Sequence, residues 1–183
     1  MRVAAAKYRI GAPADFEAFA GRQRRTLAQV AADGARIAVL PEYLSLELGA
    51  SFDLATSADL HASLAAIQTY RDGWIDLFSG LARETGMLVV AGTFLLDTGG
   101  GRYRNRCDLF TPDGGHAWQD KLQLTGFERQ ARVIAPGEAL KVFEVCGARA
   151  GIAVCYDSEF PLPVRAQRDA GARLLLVPSC TDT

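Results

Sequence analysis

Apolar positions along this chain recur in two ways, with a helical period over some stretches and as short continuous runs over others, and glycine or proline separates them. The opening run "RVAAAKYRI" predicts a short strand. After Pro13, residues 14–33 place Phe16, Phe19, Ala20, Leu27, Val30 and Ala31 on one helical face, and Gly34 is positioned to end that helix. "RIAVLPE" follows as a compact buried strand closing at Pro41 and Glu42, and "YLSLELGASFDLATS" is expected to be a loop. Leu60, Leu64, Ile67, Trp74, Phe78 and Leu81 then stack at helical spacing before Gly86, with Gly73 and Gly80 as the weak points of a single long helix.

From Met87 the pattern changes to strands. "MLVVAGTFLL", a glycine turn at residues 99–101, "YRNRCDLFTPDGG" and "HAWQDK" predict a series of hairpins, with Asp113 and Gly114 a strong turn pair. Residues 122–137 are charged and without period, and are expected to be irregular. "ALKVFEVCG" and "ARAGIAVCYD" predict a further hairpin turning at Cys146 and Gly147, a helix is expected from Pro161 to Ala170, and "RLLLVPS" supplies a last buried strand.

Hairpins mixed with crossover helices argue for an α/β sandwich with helices covering sheets, not for a strictly alternating parallel fold. Neither a GxGxxG opening a helix after the first strand nor a GxxxxGK[ST] is present, so nucleotide-phosphate loops of those kinds are excluded. The 183 residues suit one domain.

Charge narrows the partners. Twenty Lys and Arg oppose 21 Asp and Glu, a net charge of -1, so no basic field recruits nucleic acid or anionic membrane, and a small molecule or another protein is the expected partner. No stretch approaches the roughly 20 apolar residues that span a bilayer, and the first residues lack the apolar core of a secretory signal; a cytoplasmic protein is expected. Cys107, Cys146, Cys155 and Cys180 show no CxxC spacing and are read as thiols, and with only His61 and His116 no His-rich zinc site is expected.

The candidate chemistry gathers at strand exits, where α/β sheets bind ligands. Cys155 ends the buried run "AGIAV" and precedes the polar "YDSE"; it is either a nucleophile or a small buried apolar residue. Glu42, after "IAVLP", is either a solvent-facing acid or a carboxylate at the floor of a pocket. Lys121 follows "HAWQD" and Glu128 lies in "TGFERQ", where it could equally pair with Arg129 or Arg132 at the surface.

Taken in order, "LPEYLSLE", "DKLQLTGFERQARVIAPGE" and "GIAVCYDSEFP" resemble the corresponding segments of the nitrilase superfamily of carbon-nitrogen hydrolases, and the resemblance runs over the whole chain. It implies an αββα sandwich and a triad of Glu42, Lys121 and Cys155, with Glu128 as a second glutamate. Glu159 stands where many members carry arginine. Family domains are longer, so residues 1–183 are expected to be the N-terminal part of a single hydrolase domain, lacking its C-terminal strands and dimer helix. The implied protein is a homodimer or larger homo-oligomer that needs no cofactor and no metal.

The chemistry is coherent on its own terms. A thiol of ordinary pKa about 8.5 needs a base before it attacks a carbonyl or nitrile carbon. Glu42 is expected to take the proton of Cys155, Lys121 and the backbone N–H of Tyr156 to hold the anion, and Glu128 to hold Lys121 or position substrate and water. Tyr43, Phe127 and Arg129 are possible pocket contacts. The expected activity is hydrolysis of a non-peptide carbon-nitrogen bond in an amide, nitrile or carbamoyl substrate through a cysteine thioester, with amides of small acids favoured. The alternatives are a non-catalytic binding or scaffold protein and an acyltransferase using the same thioester.

Overall fold

Strand β1 (Val3–Ala5), helix α1 (Phe16–Ala32) and strand β2 (Ile37–Val39) open the computed structural model, which describes residues 1–180. β1 and β2 pair in parallel, with Val3 opposite Ile37. Asp15 caps α1 by accepting the Ala18 N–H at 2.7 Å, and the chain leaves the helix through Gly34 at φ +79°, a conformation glycine adopts without penalty. The face expected for α1 is the buried one: Phe19, Ala20 and Leu27 are inaccessible, and Phe16, Val30 and Ala31 pack half-buried on the same core.

The expected loop after β2 is instead a 3-10 helix, Leu44–Ser51, followed by the short helix α2 (Leu54–Ala58). Leu44 and Leu48, four residues apart, both reach the core, and Asp53 starts α2 by accepting the Thr56 N–H at 3.0 Å. Buried Glu47 ties this segment to the N-terminal region through Tyr8, the Gly11 N–H and Arg22. The long helix is also divided, into α3 (Leu60–Ile67), a 3-10 turn at Gln68–Tyr70, and α4 (Arg71–Thr85). Neither glycine causes the break. Gln68 donates to the carbonyls of Leu64 and Leu95 and accepts the Asp97 N–H, tying the turn to the strand beyond α4. Gly73 continues α4, where its missing Cβ makes room for the Phe16 ring.

Strands β3 (Leu88–Asp97), β4 (Tyr103–Phe110) and β5 (His116–Asp120) form the expected antiparallel meander, and with β1 and β2 they give the order β1-β2-β3-β4-β5. Residues 122–137, expected to be irregular, contain helix α5 (Gly126–Ala131) and strand β6 (Ile134–Ala135), which pairs with the start of β4. A capping box explains α5: Thr125 Oγ1 accepts the Glu128 N–H at 3.2 Å while Glu128 accepts the Thr125 N–H at 2.8 Å. The second sheet contains β7 (Val142–Val145), β8 (Ala148–Ile152) and β9 (Leu174–Leu176), with helix α6 (Pro161–Asp169) between the last two. β7 turns into β8 through Cys146 and Gly147, both at positive φ, as the hairpin pattern predicts.

Strand alternation separates two cores. Ile37, Val39, Leu88, Val90 and Leu109 of the first sheet meet Val145, Ala150, Ile152 and Leu176 of the second. Ala38, Val89 and Ala91 point the other way, toward Phe19, Trp74, Phe78 and Leu81 of the helices. α6 covers the outer face of the second sheet, where Gln167 lies over Gly151 and donates to the Ile152 carbonyl at 2.9 Å. The layers therefore run α, β, β, α, the sandwich expected. No helix among the described residues is long and apolar enough to cross a membrane.

Strand β3 is irregular at one point. Val90 opposes Leu109 and Thr93 opposes Cys107, so β3 carries an extra residue at a bulge. Gly92 in that bulge has φ +69° and passes so close to the Pro41 carbonyl that a Cβ would collide with it.

Candidate active site

Four backbone arrangements bring charged and nucleophilic side chains to one end of the sandwich. Beyond β2, the Leu40 N–H donates to the Val90 carbonyl at 2.9 Å and the Tyr43 N–H to Thr93 Oγ1 at 2.7 Å. Tyr43 adopts φ +60°, and this turn directs Glu42, only 1% exposed, inward. Lys121 leaves β5 with its N–H on the Asn105 carbonyl at 2.9 Å and its own carbonyl accepting the Gly137 N–H at 2.7 Å. Glu128 sits in the first turn of α5. Cys155 follows β8, donates its N–H to the Pro178 carbonyl at 2.8 Å, and holds φ +48° as it opens a 3-10 turn, Cys155–Glu159. A left-handed non-glycine residue stores strain of about 1–3 kcal/mol that the surrounding fold must hold.

Lys121 Nζ donates to Glu42 Oε1 at 2.8 Å and reaches both oxygens of Glu128, at 3.1 and 3.0 Å. All three side chains are at most 2% exposed. Asn105 Nδ2 donates to Glu42 Oε1 at 2.8 Å and lies 3.4 Å from Glu128 Oε1. The Tyr43 hydroxyl donates to Glu128 Oε1, and the Thr125 hydroxyl donates to Oε2 at 3.1 Å. The Cys155 thiol donates to the Cys180 carbonyl at 3.8 Å and lies close enough to the Glu42 carboxylate for the two groups to shift each other's titration.

The two carboxylates are shifted in opposite directions. Burial raises the pKa of Glu42, and its bonds from Lys121 and Cys155 only partly offset that. Burial also acts on Glu128, but the donors from Tyr43, Thr125 and Lys121 outweigh it and hold its pKa below the usual carboxylate value. Burial opposes the charge of Lys121, yet Glu42 and Glu128 together raise its pKa, so it is a fixed cation. Burial and then the Glu42 charge raise the Cys155 thiol, which is therefore protonated at neutral pH and needs a base. Burial, then Glu42 and Glu128, raise the Tyr43 phenol, which remains a donor.

The structure thus brings together Glu42, Lys121, Glu128 and Cys155, four of the residues singled out by sequence. Glu128 pairs with Lys121, not with Arg129 or Arg132. Tyr156 directly follows Cys155 in the 3-10 turn, its ring 5.0 Å from that of Phe160. Tyr43 and Phe127 line an apolar cavity of about 210 Å³ with Leu46, Leu60, Leu64 and Leu95, and Glu128 reaches its wall. Arg129 departs from the expectation: it is exposed, and its guanidinium donates to the Leu124 carbonyl at 2.5 Å, because α5 turns that position away from the cluster. Among the described residues no group of three or more His, Cys, Asp or Glu is placed to hold a metal ion.

Two further residues of the site are not singled out by the sequence. Asn105 has a recognisable signal, an uncharged polar residue within a buried strand run. Asp157, buried beyond Cys155, accepts the N–H groups of Leu122 at 3.0 Å, Gln123 at 2.6 Å and Val154 at 3.1 Å. Burial raises its pKa, against the pull of those three donors. It joins the segment leaving Lys121 to the turn that carries Cys155.

Comparison with known proteins gives this arrangement a context. Residues 2–183 match the family described as carbon-nitrogen hydrolase. A probable hydrolase, YhcX, of Bacillus subtilis is 32% identical over 183 residues, covering 100% of this chain and 35% of its own length. Omega-amidase NIT2 of Danio rerio is 25% identical over 166 residues, covering 86% of this chain and 56% of its own. Among solved structures, a mutant of the amidase from Nesterenkonia sp. AN1 shows the result of Michael addition of acrylamide at the active site cysteine. It matches with a TM-score of 0.72 at 26% identity, covering 98% of this chain and 66% of that one. The chain spans about a third to two thirds of the length of these relatives.

Proposed function

The chain belongs to the carbon-nitrogen hydrolase family, and from that premise we propose that the protein hydrolyses a non-peptide carbon-nitrogen bond, favouring amides of small apolar acids, through a thioester on Cys155. The observation that carries this reading is the division of labour between two carboxylates on one ammonium. Glu42, with its pKa raised and the thiol beside it, is suited to moving a proton; Glu128, held ionised by its donors, is suited to keeping Lys121 in place.

In this route Glu42 removes the Cys155 proton as sulfur bonds to the carbonyl carbon, and the carbonyl π pair moves to oxygen. Lys121 has three N–H donors: with one on Glu42 Oε1 and one shared between the two oxygens of Glu128, the third serves the oxyanion, and the Tyr156 N–H is the second donor. Losing one such donor costs about 10²–10³-fold in kcat. Collapse of the tetrahedral species breaks the carbon-nitrogen bond, and the proton on Glu42 passes to the leaving nitrogen, giving ammonia and the thioester. Water then adds with Glu42 again as base, sulfur leaves and regains its proton, and the acid is released.

Neighbouring amidase structures with acrylamide and butyramide support small aliphatic amides as substrates. The nearly all-apolar cavity meets the cluster through Tyr43 and Glu128, not through Cys155, and if the acyl chain lies there it favours an uncharged chain over one ending in a second carboxylate. The test is ammonia release from aliphatic monoamides, dicarboxylic monoamides, carbamoyl compounds and nitriles, beside a Cys155→Ala variant. Release from the aliphatic amides that disappears in the variant is expected. Equal release from the variant, or none from folded wild-type protein, would overturn the reading, and preference for dicarboxylic amides would overturn the substrate class alone.

A further inference from the structure

The charged members of the site arrive on three separate segments: the turn after β2, the exit of β5 and the first turn of α5. Asn105, midway along β4, touches all three. Its carbonyl accepts the Lys121 N–H at 2.9 Å, and its Nδ2 donates to Glu42 Oε1 at 2.8 Å and approaches Glu128 Oε1 at 3.4 Å. Glu42 Oε1 therefore receives two donors, Lys121 Nζ and Asn105 Nδ2, each at 2.8 Å. A carboxylate oxygen offers two lone-pair directions, so Oε1 is filled and Oε2 retains the capacity to take a proton.

The amide orientation follows from the charges: reversed, its oxygen would face two carboxylates. The arrangement carries a visible penalty, since Asn105 Oδ1 is buried with no hydrogen-bond partner among the described residues. Aspartate in its place would add a third carboxylate beside one ammonium, and an apolar residue would supply no donor. We propose that Asn105 is a positioning residue that fixes Glu42 for proton transfer, filling Oε1 so that Oε2 serves the Cys155 thiol. The inference rests on the reading of Glu42 as the base.

The titratable groups facing Glu42 are Lys121, Glu128, Cys155 and Tyr43, and Asn105 is the donor to it that does not titrate. Its removal takes a hydrogen bond from the charged form of Glu42, which moves proton uptake by that carboxylate to higher pH. The experiment measures alkylation of Cys155 by iodoacetamide against pH, read on the Cys155 peptide by mass spectrometry, in wild-type protein, Asn105→Ser and the isosteric Asn105→Asp. The acid-side inflection is expected to move up by about one pH unit in the serine variant and further in the aspartate variant. For an amide that the wild type turns over, kcat falls about tenfold or more with little change in KM. An inflection that stays in place in both variants, whatever happens to their thermal stability, overturns the proposal and leaves Asn105 a packing residue. A moved inflection in a protein that hydrolyses no amide sustains the positioning role and removes the hydrolase reading instead.

Discussion

Glu128 receives hydrogen bonds from Tyr43, Thr125, Lys121 and Asn105, whereas Glu42 receives them from Lys121 and Asn105 beside the thiol. Glu42 is also the more deeply buried of the two, so stronger desolvation and a poorer donor supply together separate the two pKa directions, with a consequence for stability. A carboxyl whose pKa is raised by folding binds its proton more tightly in the folded state. Its contribution is therefore intact below its unfolded pKa and is lost as pH rises through the folded value. Glu42 is such a group, so its ionisation weakens the fold at neutral pH. Glu42→Gln is expected to abolish turnover while melting at an equal or higher temperature than wild type at neutral pH. That gain should disappear as pH falls below the ordinary glutamate value of 4.5, where Glu42 is neutral in both states. Thermal unfolding followed at both pH values checks it; a variant less stable at neutral pH would show that the Lys121 pairing outweighs the burial of the charge.

At the scale of elements, the bulge in β3 is what lets the turn after β2 lie flat against the sheet. Gly92 meets Pro41 backbone to backbone, and Thr93, the next residue, receives the Tyr43 N–H; Glu42 lies between those two anchors. Gly92→Ala places a Cβ against a carbonyl that has no rotamer to yield, at a φ of +69° that alanine resists. A loss of about 1–3 kcal/mol in unfolding free energy is expected from the backbone conformation alone. Displacing Glu42 by an ångström would add a fall of about 100-fold in kcat. Urea unfolding and steady-state kinetics on the same preparation measure the two effects, and a variant with unaltered kcat would separate the bulge from the site.

Legibility follows the range of the interactions responsible. α1, α6 and the hairpins around Asp113 and Gly114 are readable because period, proline and turn pairs act within a few residues. The Thr125 and Glu128 capping box is present in the string "TGFE", but the charge and missing period of that segment mask it. The division between α3 and α4 has no local cue, since Gln68 binds Leu95 and Asp97 of β3. In the site, Glu42, Lys121, Glu128 and Cys155 stand out through ordered motifs. Asn105 and Asp157 act on partners 63 and 35 positions away, which no spacing rule connects.

For the whole molecule, the telling feature is that the site straddles two sheets. Glu42 and Lys121 extend from β2 and β5 of the first sheet, and Cys155 from β8 of the second. The seam between the sheets is packed with aliphatic side chains, whose attraction has no preferred direction. Its directional ties include Asp157, reaching the Leu122 and Gln123 N–H groups, and Gln119, accepting the Lys141 N–H at 2.9 Å. On the proposed route, the proton transfer from Cys155 to Glu42 would therefore work as a gauge of sheet alignment, reading a small slip that leaves every strand and helix in place. In a urea titration, activity is expected to fade at a lower concentration than the far-ultraviolet circular dichroism signal, and coincident midpoints would count against a seam that slips. On that expectation the chemistry is lost first and the architecture afterwards, which would make residual activity the more sensitive alarm for early damage.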